Sequence, residues 1–294
     1  MKLIHITKPS NASRATMALA VCCTGLLNTS ALADTSVSLH AVADSCVFTG
    51  VGPNSTGYYD AASRNFGSMN SRQVAGAGNS RGEFDAVIRF DSSAATASLN
   101  SQYGAGNWMI TGASLTLCTS DNVSGPGIFN APGAAGLFDV SWMSADGGWL
   151  QGSGYKNNGS GAGNAADHNV TGVNFTSGIT WNSLHTTLTA SPATLLNTCI
   201  YQDLGMLVTE TFNLGTGSTA FLDSLESGTT ASLLLTPDDN TMAFNFTSHS
   251  YGGGADPYNP TLTLTIETVP EPGTSALIAG GLLLLCVRPR SRRA

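Results

Sequence analysis

Between residues 34 and 268 this 294-residue chain carries a single lysine, Lys156, and four arginines, Arg64, Arg72, Arg81 and Arg89. Eighteen carboxylates share that stretch. So acidic a body offers no positive surface to a phosphate backbone, which excludes nucleic acid as the expected partner. Neutral glycans suit the same charge better than anionic polysaccharides do. Only 11% of residues are charged, yet 41% are hydrophobic, enough to bury a core and unlike a disordered chain. The 34 glycines follow no three-residue period, so collagen is excluded. Sustained helical periodicity is missing, as are solenoid-length repeats and any Pro-rich linker dividing the body.

Cysteine is scarce and unpaired by count. Of six, Cys22 and Cys23 lie near the start and Cys286 near the end, leaving Cys46, Cys118 and Cys199. There is no Cys-x-x-Cys and no Cys/His spacing of a zinc site. An odd number permits at most one disulfide, Cys118–Cys199 or Cys46–Cys118, with buried free thiols as the alternative.

The two ends read as addresses. Lys2, Lys8 and Arg14 precede the apolar Ala15–Leu27 stretch, and Ala31-Leu32-Ala33 then supplies a small-x-small cleavage pattern. Residues 1–33 are therefore expected to be a signal peptide, cut by signal peptidase before Asp34. At the other end, Val269-Pro270-Glu271-Pro272 leads into an apolar run over residues 273–287. Arg288, Arg290, Arg292 and Arg293 follow. Fifteen helical residues span roughly 22 Å at ~1.5 Å each, short of a ~30 Å hydrocarbon core. Arginines directly after the run would hold that end in the cytoplasm and leave the acidic body outside. An ordinary short tail anchor is one reading.

The order of Pro-Glu-Pro, short apolar span and arginine cluster also resembles the PEP-CTERM sorting signal of bacterial exported proteins. That resemblance covers residues 269–293. It implies recognition by an exosortase-type membrane protease and delivery to the cell envelope or extracellular matrix, with transient or permanent anchoring.

The body, residues 34–268, reads as one all-β domain, a sandwich or jelly roll. In Glu83–Asp91, Phe84, Ala86, Ile88 and Phe90 alternate with polar residues, and Thr261–Glu267 sets Leu262, Leu264 and Ile266 against threonines. Thr111–Cys118, Met242–Ser248, Val37–Ala43 and Ser232–Thr236 are further strands. One short helix is expected, Thr219–Leu225, with Phe221, Leu222 and Leu225 capping an open end. Residues 144–178 form a long glycine-rich loop.

Several landmarks then occur in a fixed order. They are Ala43-Asp44-Ser45-Cys46-Val47, Asn65-Phe66-Gly67, Ala86–Asp91, Ile110–Leu117, Ile179-Thr180-Trp181-Asn182 and Asn259–Leu264. Together they resemble the DNRLRE-type jelly-roll domains of bacterial surface proteins, which are related to carbohydrate-binding modules. The resemblance implies a core position for Trp181. Ser248-His249 departs from the family pattern, in a region the resemblance places near a ligand.

Motifs for catalysis fail on context. Gly78-Asn79-Ser80-Arg81-Gly82 matches Gly-x-Ser-x-Gly, but a strand follows it where a nucleophile elbow needs a helix. A hairpin turn is the expectation there. His40, His168, His185 and His249 are scattered, and no serine, histidine and acid arrangement assembles with any specificity. Asp238-Asp239-Asn240 and the Gly252–Asp256 loop are acidic turns in which Asp238, Asp239 and Asp256 are candidates for calcium. No other cofactor is expected. Trp142, Trp149, Tyr155, Tyr251 and Tyr258 are the candidate sugar platforms, with core or turn packing as the alternative for each.

The expectation is a non-catalytic exported surface or matrix protein, binding a neutral glycan. A polysaccharide hydrolase or lyase, or a purely structural biofilm component, is the alternative.

Overall fold

The computed structural model describes residues 35–50, 61–67, 69–80, 82–120, 129–130, 135–152, 178–202, 205, 207–215, 218–251 and 258–269. The expected signal peptide, the tail beyond Val269 and positions 153–177 of the glycine-rich loop lie outside these residues. So do the tail residues Pro270, Glu271, Pro272, Arg288, Arg290, Arg292 and Arg293, the cleavage residues Ala31 and Ala33, and Tyr155 and Asp256.

Among the described residues, ten antiparallel strands build an all-β sandwich of jelly-roll type. In chain order they are β1 (Thr35–Phe48), β2 (Ser71–Ala75), β3 (Phe84–Asp91), β4 (Trp108–Cys118), β5 (Gly136–Met143), β6 (Thr194–Tyr201), β7 (Thr209–Gly215), β8 (Thr230–Pro237), β9 (Ala243–Thr247) and β10 (Thr261–Thr268). Their neighbour order is β6-β5-β8-β3-β1-β10-β4-β7, with β2 joining β3 and β9.

The strand β1 belongs to both sheets. Thr35–His40 pair with β10, and Ala41–Phe48 pair with β3 after a register shift between Ala41 and Ala43. Val42 sits at that shift, half exposed. A bulge of this kind bends the strand and lets it change sheets. One core fills the space between the sheets, taking Ile88 and Phe90 from β3, Leu115 from β4, Phe138 from β5, Phe244 from β9 and Leu264 from β10.

The outer faces of the two sheets differ. Along β10 burial alternates strictly at Leu262, Leu264 and Ile266, as the period-two pattern predicts. The opposite side chains form a hydroxyl ladder, including Ser38–Thr263 at 3.3 Å and Thr116–Thr211 at 2.9 Å. By contrast, β3 is buried on both faces from Phe84 to Ile88. Its outer side chains Asp85 and Val87 are covered, against the expectation of a half-buried strand.

The cover is a helix the alternation pattern did not reveal. Three α-helices are present among the described residues: α1 (Ser93–Tyr103), α2 (Trp181–Ala190) and α3 (Thr219–Glu226). The last is the helix expected at residues 219–225, and Phe221, Leu222 and Leu225 are its buried residues. The other two correct the expectation of one helix. In α1 only Leu99 is buried, so no apolar stripe exists to be read. In α2 the threonines at 186, 187 and 189 suggest a strand by propensity. Each instead donates its hydroxyl to the carbonyl four residues back, at 2.8–3.1 Å. A capping box starts the helix: Thr180 accepts from the Ser183 N–H, and Ser183 accepts from the Thr180 N–H.

Candidate functional site

The covered face of β3 is the first candidate. Val47, Val87, Met143, Trp149, Ile179, Leu184 and Leu234 pack together there, beneath α2 and the 143–152 loop. Arg89, on the outer face of β3, meets Asp146 at 2.7 Å. Its guanidinium lies 4.4 Å from the centroid of the Trp149 ring. The indole N–H donates to Ser232 Oγ at 2.9 Å. Trp149 is therefore a core residue, 7% exposed, with one ring face occupied by an arginine. That corrects its expected role as a sugar platform. A groove of about 240 Å³ runs between the loop and α2, lined in part by Met143, Asp146, Trp149, Leu150, Ile179 and Ser183.

A buried polar relay lies beside this face. Arg72 is fully buried on β2. It donates to Asp44 Oδ1 from Nε at 2.9 Å and from Nη2 at 2.6 Å, and to the carbonyls of Asp44, Gly67, Met69 and Ser71. Asp44 also accepts from His249 twice, at Oδ2 from the backbone N–H (2.6 Å) and at Oδ1 from Nδ1 (2.9 Å). Burial pushes the Asp44 carboxyl up, but the Arg72 charge and the His249 contacts outweigh it. They hold the group below the ordinary carboxylate value.

Gln151 ties the relay to the groove. Its Oε1 accepts from the Asp44 N–H at 3.3 Å, and its Nε2 donates to the Gly67 carbonyl at 2.6 Å. Asn65 donates to the carbonyls of Gln151 and Ile179 at 2.6 and 2.9 Å, and accepts from the Gly67 N–H. Asn65-Phe66-Gly67 is thus a knot of backbone contacts. A side chain at Gly67 would collide with the Gln151 carbonyl, and one at Gly178 with the Asn65 amide.

A second histidine–aspartate pair underlies α2. His185 Nε2 lies 3.2 Å from Asp85 Oδ2, while Asp85 Oδ1 is buried without a partner among the described residues. Burial pushes this carboxyl up to about 6, against the lowering effect of the His185 hydrogen bond. The Trp181 ring covers His185, with centroids 4.0 Å apart. Trp181 is half-buried at the start of α2 and packs against the cluster on the covered face of β3. Among the described residues no serine or threonine hydroxyl completes a triad with either histidine.

The remaining expected site residues are dispersed. Tyr251 and Tyr258 come together edge to face, 5.4 Å apart at 71°, and both are half-buried. Trp142 packs on Phe221 at the other end of the sandwich. Asp238 is exposed, while Asp239 Oδ2 accepts from the Leu137 N–H at 2.7 Å and so holds the end of β5. No group of three or more metal-ligating side chains converges among the described residues. Cys46, Cys118 and Cys199 are buried free thiols, so neither expected disulfide is formed. Val269 donates its N–H to the Asn107 carbonyl at 2.8 Å, pinning the last described residue to the domain.

Sequence reading missed the Asp44–Arg72 pair and, separately, the buried Asp85 beneath α2. The available signal was Arg72 itself, one of very few bases in an acidic body. A scan against protein-family models and a search of curated proteins each find no match to this chain. No helix among the described residues is long and apolar enough to cross a membrane.

Proposed function

We propose that this chain is a non-catalytic exported protein of the bacterial cell surface or matrix, whose sandwich body holds a neutral glycan. On this reading signal peptidase removes residues 1–33. An exosortase-type protease then recognises the tail from Val269 to Arg293, and the body is a DNRLRE-type jelly roll. The observation that carries the binding role is the Tyr251–Tyr258 pair. Two half-buried aromatic rings at fixed relative orientation are the kind of apolar surface on which the CH side of a sugar ring stacks. The acidic body supports a neutral ligand over an anionic one.

Affinity electrophoresis tests this. The full chain, in a non-glycosidic detergent, is run through gels containing β-glucan, galactomannan, xylan or alginate, with calcium and with chelator. Retardation in a neutral gel is the expected result, and chelator sensitivity would add a calcium site at the acidic turns. Free migration through every gel would remove the glycan role and leave a structural matrix protein. Shortened polysaccharide in the gel would instead identify a hydrolase or lyase.

A further inference from the structure

We propose that the end of the sandwich made by α1, the 104–107 turn and the last residues of β10 is a membrane face, held against lipid headgroups by the short link to the tail. This rests on the tail reading above, in which the run over residues 273–287 enters a bilayer.

Strand β10 leaves the body at a defined point. It runs antiparallel to β4, so that Thr268 pairs with Trp108, and the Val269 N–H donates to the Asn107 carbonyl at 2.8 Å. The chain therefore departs beside the turn that follows α1. Only Pro270, Glu271 and Pro272 separate Val269 from the apolar run. Even fully extended, the steps from Val269 to Gly273 cover about 14 Å at ~3.5 Å each. The run itself contributes no slack, because its roughly 22 Å already falls short of a ~30 Å hydrocarbon core. With the terminal arginines held in the far headgroup layer, that mismatch draws Gly273 into the near one. A folded body on so short a link cannot stand clear of the bilayer, and the end carrying Val269 is the end that meets it.

The chemistry of this end suits a lipid surface. From Ser92 to Ser120 the chain has no charged residue and no histidine, although the body holds eighteen carboxylates. Anionic headgroups repel carboxylates, so the uncharged end approaches at least cost. Helix α1 buries only Leu99 and leaves its remaining surface to small and polar side chains. Met109 and Val269 are exposed apolar residues at the same end. The start of β1 joins them, with Thr35 Oγ1 3.5 Å from the Tyr103 hydroxyl. Three carboxylates border the patch. Asp91 accepts from the Ser93 N–H at 2.9 Å and Glu226 from the Ile110 N–H at 3.3 Å, while Glu267 is exposed opposite Met109. The far end differs: β8 begins against α1, where Ser92 Oγ donates to the Thr229 carbonyl at 2.8 Å, and runs out to the exposed Asp238.

The test uses the full chain in phosphatidylcholine–phosphatidylglycerol vesicles that contain a phosphatidylethanolamine with a photoactivatable diazirine on its headgroup. Flotation of the wild type, and its loss in Leu283→Arg combined with Leu284→Arg, first shows that the tail is the anchor. The floated vesicles are then irradiated and labelled peptides are mapped by mass spectrometry. Peptides covering residues 93–109 are expected to carry at least tenfold more label than those covering residues 238–242. A floated wild type with equal label at the two ends, or none on residues 93–109, would overturn the membrane face and leave the tail reading standing. A wild type that does not float, or a variant that still does, removes both.

Discussion

Asp44 and Arg72, 28 positions apart in the chain, meet at 2.6 Å with neither side chain exposed. Removing the guanidinium leaves an uncompensated buried anion, whereas removing both charges leaves only a packing defect. Arg72→Met is therefore expected to cost about 3–5 kcal/mol, and Asp44→Leu combined with Arg72→Met less. Urea midpoints with unchanged slopes would measure both. A single variant as stable as the wild type would show that the guanidinium is not what holds Asp44 ionised. The pair also has a pH signature. The folded Asp44 ionises below its unfolded value near 3.8, so its contribution is full above that value. It is lost as pH falls through the lower, folded one, and the urea midpoint drops on acidification.

Asp85 predicts the opposite slope. Its folded carboxyl titrates at about 6, above the unfolded value, so the protonated form favours the fold. That contribution is complete below about 3.8 and disappears as pH rises through 6. Asp85→Asn keeps an acceptor for His185 without a buried charge. It is expected to be more stable than the wild type at pH 8, on the order of 2 kcal/mol, and to lack the wild-type decline between pH 4 and 6. Parallel stability profiles for the two proteins would rule out Asp85 as the titrating group.

Gly67 and Gly148 separate collision from strain. A Cβ at Gly67 meets the Gln151 carbonyl, which Asn65 holds in place. Gly148 has φ +61° and open space around it. Gly148→Ala should cost about 1–2 kcal/mol for the left-handed backbone alone. Gly67→Ala should cost more, because backbone must move. Thermal melts of the two variants decide the order, and equal losses would contradict the knot described at residues 65–67.

Three buried thiols make a further prediction. Burial pushes Cys46 and Cys199 up to about 11, the latter helped by the nearby Asp139. At pH 8 both are almost wholly protonated and enclosed, and protonated thiols are poor nucleophiles. Iodoacetamide labelling mapped by mass spectrometry should miss Cys46, Cys118 and Cys199 in the native chain and modify all three in urea. A cross-linked peptide joining any two of them would contradict the free-thiol state.

Part of the sandwich was legible: the expected segments fall on β1, β3, β4, β8, β9 and β10, while β2, β5, β6 and β7 were not expected. Thr261–Thr268 alternates leucine and isoleucine with threonine, and that period specifies both strand and face. The helix at Thr219–Glu226 was legible for a similar reason, since three apolar residues at helical spacing cap the core. An element that buries only one residue carries no such signal, and cover laid over a strand's outer face by a distant segment leaves none in that strand. This hid the second buried face of β3 and the whole of α1 and α2.

Side-chain identity alone sets the acidity of the body, its shortage of bases and the alternation that turns leucines inward, because these depend on composition and on neighbours two residues apart. The pairing of Asp44 with Arg72 and His249, the burial of Trp149 under Arg89, and the meeting of Tyr251 with Tyr258 are decided only in the folded chain. His249 is 205 positions from Asp44. Their encounter depends on β1 switching sheets at Val42 and on β9 returning beside β2. Contacts of that range arise from strand order and sheet closure, which no local period encodes.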